Sequence, residues 1–351
     1  MNKKKVVVGI SGGVDSSVAA YLLKEQGYDV VGLFMRNWKE TDDGGHCTAE
    51  EDYADALRVC ATLDIPFYSA DFSKEYWERV FLHFVDEYKK GRTPNPDVLC
   101  NREVKFGPFL ERAKLLGADF VATGHYCGVK RENGRTYLLK ARDKNKDQTY
   151  FLNQLSEKQI ENVLFPLQEV EKPEVRKVAE KLGLVTAEKK DSTGICFIGE
   201  RKFREFLANY IPMQEGDILC DGKVVGRHQG VYFYTLGQRK GLGIGGEGER
   251  WFVIGKDVQR NILYVSHGED DILFQSELHC ESFNWINGEF PSAVFRATAR
   301  IRLRQPEQEC TVYVENGKVR VVFDQKQRAI ASGQYCVLYV GEVCLGGGVI
   351  E

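Results

Sequence analysis

Two of the ten cysteines are set where a thiol could do chemistry. Cys100 ends the proline-rich stretch Thr93-Pro94-Asn95-Pro96-Asp97-Val98-Leu99-Cys100, just ahead of a helix predicted over 101–116. A thiol at a helix N-terminus is shifted toward thiolate by the macrodipole. Asp97, three residues earlier, is a candidate acid/base or helix cap. Cys196 lies in Asp191-Ser192-Thr193-Gly194-Ile195-Cys196-Phe197-Ile198-Gly199, where the glycines allow a loop and Ile195 and Phe197 could anchor it. Alone, each cysteine reads as an inert buried thiol. A third stretch changes that balance: Gly9-Ile10-Ser11-Gly12-Gly13-Val14-Asp15-Ser16-Ser17. It follows Val6-Val7-Val8, a buried-strand pattern, and leads into apolar helical spacing at Val18, Ala19, Leu22 and Leu23. Strand, glycine turn and helix aim backbone N–H groups at a phosphate. Ser11, Ser16 and Ser17 add hydroxyls, and Asp15 could hold Mg2+ on the phosphates. The loop lacks the lysine of the Gly-x4-Gly-Lys-Ser/Thr type. A nucleotide-activating loop with two loop cysteines is what sulfur delivery needs, one thiol carrying the sulfur and the other attacking or resolving.

The elements that must position these residues alternate strand and helix through residue 130, which predicts a doubly wound parallel sheet. Strands are expected at 30–35, 66–70 and 120–123, with helices at 52–63, 73–90, 101–116 and 172–183. Ligands in such sheets lie beyond the carboxyl ends of the strands, placing the glycine loop, Met35 and Gly124 on one rim. Asn133-Gly134 predicts a hairpin turn. From about residue 210, short β-rich runs replace helices: 231–234, 251–254, 262–265, 294–303, 311–314, 319–323 and 335–340. The expected division is a nucleotide-binding domain over 1–205, a small β-rich module over 206–268 and a β-barrel over 269–351.

With 351 residues, the chain is long enough for two or three domains. No run of about 18 apolar residues and no secretory segment are present, so the expectation is a cytoplasmic protein with no membrane contact. None of the cysteines forms Cys-x-x-Cys and the six histidines do not cluster, which argues against a zinc ribbon. Net charge is −3, so any nucleic-acid contact must come from a local patch. One such patch is suggested by Arg296, Arg300, Arg302 and Arg304, which alternate with Phe295, Ala297, Ala299, Ile301 and Leu303. Period two would put the guanidiniums on one strand face, fit to track phosphates.

The Ser-Gly-Gly-Val-Asp-Ser loop resembles the pyrophosphate loop of ATP pyrophosphatases. Four motifs in order carry the resemblance further: the loop at 11–17, Asn95-Pro96-Asp97-Val98-Leu99-Cys100-Asn101, Lys146-Asp147-Gln148, and 192–199. With Tyr234-Thr235-Leu236-Gly237-Gln238-Arg239-Lys240-Gly241 and Ser332-Gly333-Gln334, the chain resembles bacterial tRNA-specific 2-thiouridylases over essentially its whole length. That resemblance implies ATP-dependent thiolation of the wobble uridine of glutamate, glutamine and lysine tRNAs. It implies that Gly9 to Ser16, Met35 and Gly124 bind ATP, with Mg2+ as a companion ion. It further implies that Asn95, Pro96 and Asp97 meet the target base, Cys196 carries a persulfide and Cys100 forms a transient disulfide with it. His125, Lys146, Asp147, Gln148, Arg302, Leu303 and Gln334 would then contact tRNA, and a cysteine desulfurase or relay protein would supply sulfur. Cys127 departs from the pattern, a small residue being expected after Tyr126. Two other readings stay open on the residues: an amide- or guanidine-forming ligase with the same loop, and a nucleotide-sensing or RNA-binding protein. An iron–sulfur cluster on Cys100, Cys196 and a third ligand is a further variant.

Overall fold

The computed structural model describes residues 3–38, 48–191, 203–245 and 250–351, so Cys196 and its neighbours lie outside the described residues. The first part is built on β1 (Lys5–Gly9), β2 (Asp29–Arg36), β3 (Phe67–Asp71) and β4 (Phe120–Thr123). The hairpin β5 (Cys127–Glu132) and β6 (Arg135–Lys140) follows, and β7 (Val163–Leu164) completes a parallel sheet of order β3-β2-β1-β4-β7. Its helices are α1 (Val14–Glu25), α2 (Thr48–Thr62), α3 (Ser73–Tyr76), α4 (Leu82–Lys89), α5 (Pro96–Cys100), α6 (Pro108–Leu115), α7 (Thr149–Leu152), α8 (Glu157–Ile160) and α9 (Lys172–Lys181).

The valine run explains the layering. Val6 and Val8 enter one core with Val18, Ala19 and Val175, while Val7 enters the other with Phe81, Phe84 and Phe109. Successive strand residues alternate faces, so one apolar run serves both helix layers. Burying each valine fully is worth about 1.5–3 kcal/mol.

One helix starts where the sequence predicts and another does not. Helix α3 starts at Ser73 as expected, where Asp71 Oδ1 accepts from the Ser73 amide at 2.9 Å and its hydroxyl at 2.6 Å. The helix expected from residue 101 begins at Pro96, because Asn95 Oδ1 accepts from the amides of Asp97 (3.2 Å) and Val98 (3.4 Å). It continues through a wide turn at Asn101–Lys105, and α6 starts afresh at Pro108.

The second part carries α10 (Phe203–Ala208), β8 (Gly216–Cys220), β9 (Lys223–His228), β10 (Trp251–Asp257) and β11 (Ile262–His267), in the order β10-β11-β8-β9. The strand expected at 231–234 is a single 3-10 turn, Val231–Phe233, entered through Gly230 at φ 141°. Phe206 packs on Phe81 with ring centroids 6.0 Å apart, so this part shares the first core.

The third part is a closed barrel of β12 (Phe274–Trp285), β13 (Val294–Arg300), β14 (Gln308–Glu315), β15 (Lys318–Arg328), β16 (Tyr335–Val340) and β17 (Val343–Ile350), with β12 pairing β17 to shut the ring. The hairpin predicted at Asn133-Gly134 forms, with both residues at positive φ (52° and 75°). It does not stay with the parallel sheet: β6 pairs β17, through Val343–Leu139 and Cys344–Leu138, and extends the barrel's sheet.

Candidate active site

The glycine loop links the end of β1 to α1. Gly12 sits at φ 75°, and a Cβ there would overlap the Asp52 carbonyl. Only glycine combines that conformation with that approach. Ser16 and Ser17 hydroxyls both donate to the Gly13 carbonyl, at 3.1 and 2.8 Å, and Ser16 Oγ accepts from the Ser11 amide at 3.1 Å. These hydroxyls hold the loop's shape. Helix α1 starts on Gly13, which supplies no capping oxygen, so its first turn presents N–H groups suited to an anion. Gly124, just after β4, packs on this turn, and a Cβ there would lie 2.6 Å from the Ser16 amide nitrogen. Met35 lies at the end of β2, half-buried against the first core.

Asp15 is already partnered. Its carboxylate accepts from Tyr126 Oη at 2.8 Å and from Lys172 Nζ at 2.7 and 2.8 Å. An ammonium therefore stands against both oxygens where a divalent ion would need to bind. Among the described residues no group of three or more His, Cys, Asp or Glu could hold a metal. Asp15 thus holds an ammonium at the place where the sequence suggested Mg2+ on the phosphates.

Lys172 also pairs with Asp191 at 2.6 Å, and Asp191 is held in addition by Lys146 (2.7 Å) and Arg176 (3.0 Å). Burial pushes the Asp191 carboxyl up, but hydrogen bonds from Lys146 and Lys172 overcome it and bring it down to about 2. Lys172 was not singled out in the sequence beyond opening a helix. Its partners lie 157 residues upstream and 19 downstream, and only the fold reveals them.

The segment Asn95-Pro96-Asp97 forms the first turn of α5, and Cys100 is its last residue. Cys100 thus sits a turn past the helix start, because Asn95 caps earlier than the proline pattern suggested, and the macrodipole argument weakens accordingly. Cys100 and Leu99 enter the first core and Val98 another. Burial pushes the Asp97 carboxyl up to about 6, with Lys105 opposing. A carboxyl poised there can exchange a proton near neutral pH.

The third part grips the base of this segment. Gln334 Nε2 donates to the Thr93 carbonyl at 2.6 Å, and the Thr93 amide donates to the Ser332 carbonyl at 2.9 Å. Gly333, at φ 87°, lies so close to Arg92 and Thr93 that a Cβ would clash. Arg92 pairs with Glu281 of β12 at 2.6 Å.

Several expected tRNA contacts turn inward instead. His125 is buried, its Nδ1 2.7 Å from Thr123 Oγ1, and burial holds its pKa well below the ordinary value. Asp147 is sealed: its Oδ1 accepts from Arg300 at 2.9 Å and from the Thr149 hydroxyl at 2.5 Å, its Oδ2 from the Ala141 amide at 2.8 Å. Gln148 Oε1 accepts from the Tyr126 amide at 2.9 Å. The arginine face also dissolves, because β13 ends at Arg300. Arg296 pairs with Asp324 (2.7 Å) and Glu309 (3.3 Å), Arg300 is buried on Asp147 and Glu307, and Arg302 donates to the Arg328 and Ala329 carbonyls. Neighbouring strands supply the acids that β13 itself lacks. Leu303 packs in the core around Tyr150, and Arg304 is exposed.

Parallel sheet and lysine-free glycine loop together define a class, an α/β domain with an anion-binding loop of the pyrophosphate type, here joined to two β modules. Family models match in the same succession: a tRNA methyl transferase HUP domain over residues 4–200, a tRNA methyl transferase PRC-barrel domain over 204–267 and an aminomethyltransferase beta-barrel domain over 275–350. The chain is 56% identical over 353 residues to tRNA-specific 2-thiouridylase MnmA 2 of Geobacillus kaustophilus, covering 100% of this chain and 95% of the relative. It is 58% identical over 351 residues to tRNA-specific 2-thiouridylase MnmA of Oceanobacillus iheyensis, covering 99% and 95%. The chain belongs to the tRNA-specific 2-thiouridylase family. A solved 4-thiouridine synthetase–RNA complex with bound ATP is a far more distant likeness, at 18% identity and TM-score 0.35 over 59% of this chain and 49% of that one.

Proposed function

We propose that this protein thiolates C2 of the wobble uridine in tRNA, using ATP to activate the base. The observation that carries the reading is full-length identity above one half to proteins named for 2-thiouridylation. The uracil C2 oxygen attacks the α-phosphorus of ATP, and the α–β bridging bond breaks with its electron pair leaving on pyrophosphate. The first turn of α1 and the Gly12–Gly13 backbone suit the phosphates of that nucleotide. Asp97, poised near neutral, moves the proton at the base. A persulfide on Cys196 then meets the Cys100 thiolate, which attacks the inner sulfur. A Cys100–Cys196 disulfide forms, hydrosulfide leaves and adds at C2, and AMP departs. A thiol reductant must restore both cysteines. Magnesium enters with the phosphates of the nucleotide.

In this reading 1–205 catalyses while 206–268 and 269–351 hold tRNA of the glutamate, glutamine and lysine types, and a desulfurase or relay protein loads Cys196. The test is nucleoside mass spectrometry of an unmodified glutamate tRNA incubated with protein, ATP, Mg2+ and sulfide. Wild type is expected to yield 2-thiouridine and pyrophosphate, and Cys100→Ser to yield no thiolated base with a persulfide donor. Cys196→Ser should respond to sulfide alone. Tight ATP and tRNA binding without any thiolated base, whatever the donor, would sink the proposal.

A further inference from the structure

The glycine loop has no lysine of its own, yet an ammonium stands against it. Lys172 Nζ lies 2.7 and 2.8 Å from the two oxygens of Asp15, on the first turn of α1, and its side chain is only 10% exposed. A cation there faces the region where phosphates would meet the Gly12–Gly13 backbone, in surroundings that strengthen its charge. We propose that Lys172 is the cation of this phosphate loop, binding the β- and γ-phosphates of the nucleotide and neutralising the pyrophosphate as it leaves. The inference rests on the ATP reading above.

What favours Lys172 is that its partners can spare it. Asp191 keeps Lys146 at 2.7 Å and Arg176 at 3.0 Å when a phosphate claims Lys172, and Asp15 keeps the Tyr126 hydroxyl at 2.8 Å. Asp191 stays ion-paired, and Asp15, 31% exposed, trades its ion pair for water beside that hydroxyl, so the exchange leaves no bare buried charge. Lys189, by contrast, joins Asp52 (2.7 Å) to Asp55 (2.5 Å), two residues of α2 rather than of the glycine loop. The backbone of Lys172 is fixed meanwhile, because its amide donates to Asp143 Oδ2 at 3.0 Å and a capping box of Glu171 and Glu174 pins the start of α9. Only the side chain has to turn. No proton is transferred; the ammonium offsets the charge that develops as the bond between the α-phosphorus and the bridging oxygen breaks.

Calorimetric titration of the full chain with ATP, pyrophosphate and AMP separates this role from bracing. Lys172→Met is expected to weaken ATP and pyrophosphate on the order of tenfold to a hundredfold while AMP stays within about twofold. Lys172→Arg keeps the charge and should recover most ATP affinity, so the assignment remains testable even if the methionine variant fails to fold. Lys189→Met is the control and should bind all three like wild type. Equal losses for ATP and AMP in Lys172→Met, or no loss, would overturn the assignment and leave Lys172 a brace, with the ATP reading intact. Wild-type protein that binds neither ATP nor pyrophosphate would overturn the nucleotide reading itself, and this inference with it.

Discussion

Two charge networks meet at Lys146-Asp147-Gln148 and differ in one respect that decides what each can do. Lys146 joins the network of Asp191, Lys172, Arg176 and Asp15, whose carboxylates are about one-third exposed. Asp147 joins the network of Arg300, Glu307 and Lys140, with Asp147 wholly buried and Arg300 and Lys140 nearly so. The residue types are the same. In the sealed network every charge is matched by protein and nothing can compete, so it clamps the 140s segment to the barrel. In the open one, cations gather on the rim beside an anion loop, and a ligand can take one without stranding its partners. Burial, more than composition, separates a clamp from a binding site.

The strongest way to break this contrast is Asp147→Ala. It leaves Arg300 buried with one carboxylate fewer, and Arg300 Nε already has no hydrogen-bond partner among the described residues. Removing one partner of such a pair costs about 3–5 kcal/mol. Urea unfolding should show a loss of that size, whereas a loss under 1 kcal/mol would mean that water reaches the network.

Asp97 sharpens the contrast from another side, as a carboxyl with burial but no close ion pair among the salt bridges of the described residues. Its folded pKa of about 6 lies above its unfolded one, so its stabilising contribution is present at low pH and is lost as pH rises through about 6. Asp97→Asn should therefore be more stable than wild type at pH 8 but not at pH 4. Its single-turnover thiolation should fall on the order of a hundredfold or more, and the wild-type rate should drop below pH 6 if Asp97 acts as base. An unchanged pH–rate profile in the variant would remove Asp97 from the proton transfer.

The smallest effect is expected at Arg296, whose exposed pairing with Asp324 and Glu309 makes it neither clamp nor free charge. Arg296→Ala should cost under about 1 kcal/mol and leave tRNA affinity within about twofold, with the salt slope unchanged. A slope lowered by about one unit in a filter-binding assay would restore β13 as a phosphate-tracking face.

These regions also show what a linear reading can reach. The glycine loop, the valine strand and the Asn133-Gly134 turn were legible because each is specified by residues within a few positions. The start of α5 was missed by one turn, since Asn95 and Asp97 both suit a cap and only the hydrogen bonds choose between them. The arginine alternation misled for a further reason. Cross-strand neighbours set the charge a residue meets, and Glu309 on β14 and Asp324 on β15 are invisible from β13 alone. Lys172 was beyond reach, as its meaning depends on contacts that no spacing encodes.

The pairing of β6 with β17 carries a consequence for synthesis on the ribosome. About 200 residues separate the end of β6 from the start of β17. At roughly 5–20 residues per second, the hairpin emerges on the order of 10–40 s before its partner exists. During that interval its outer edge offers unpaired backbone groups to any passing strand. The hairpin is short and carries Lys130, Arg131, Arg135 and Lys140, whose like charges discourage two nascent copies from zipping together. Two of these residues, Arg135 and Lys140, later pair with Glu157 and Glu307, after serving first as a guard on an unfinished edge.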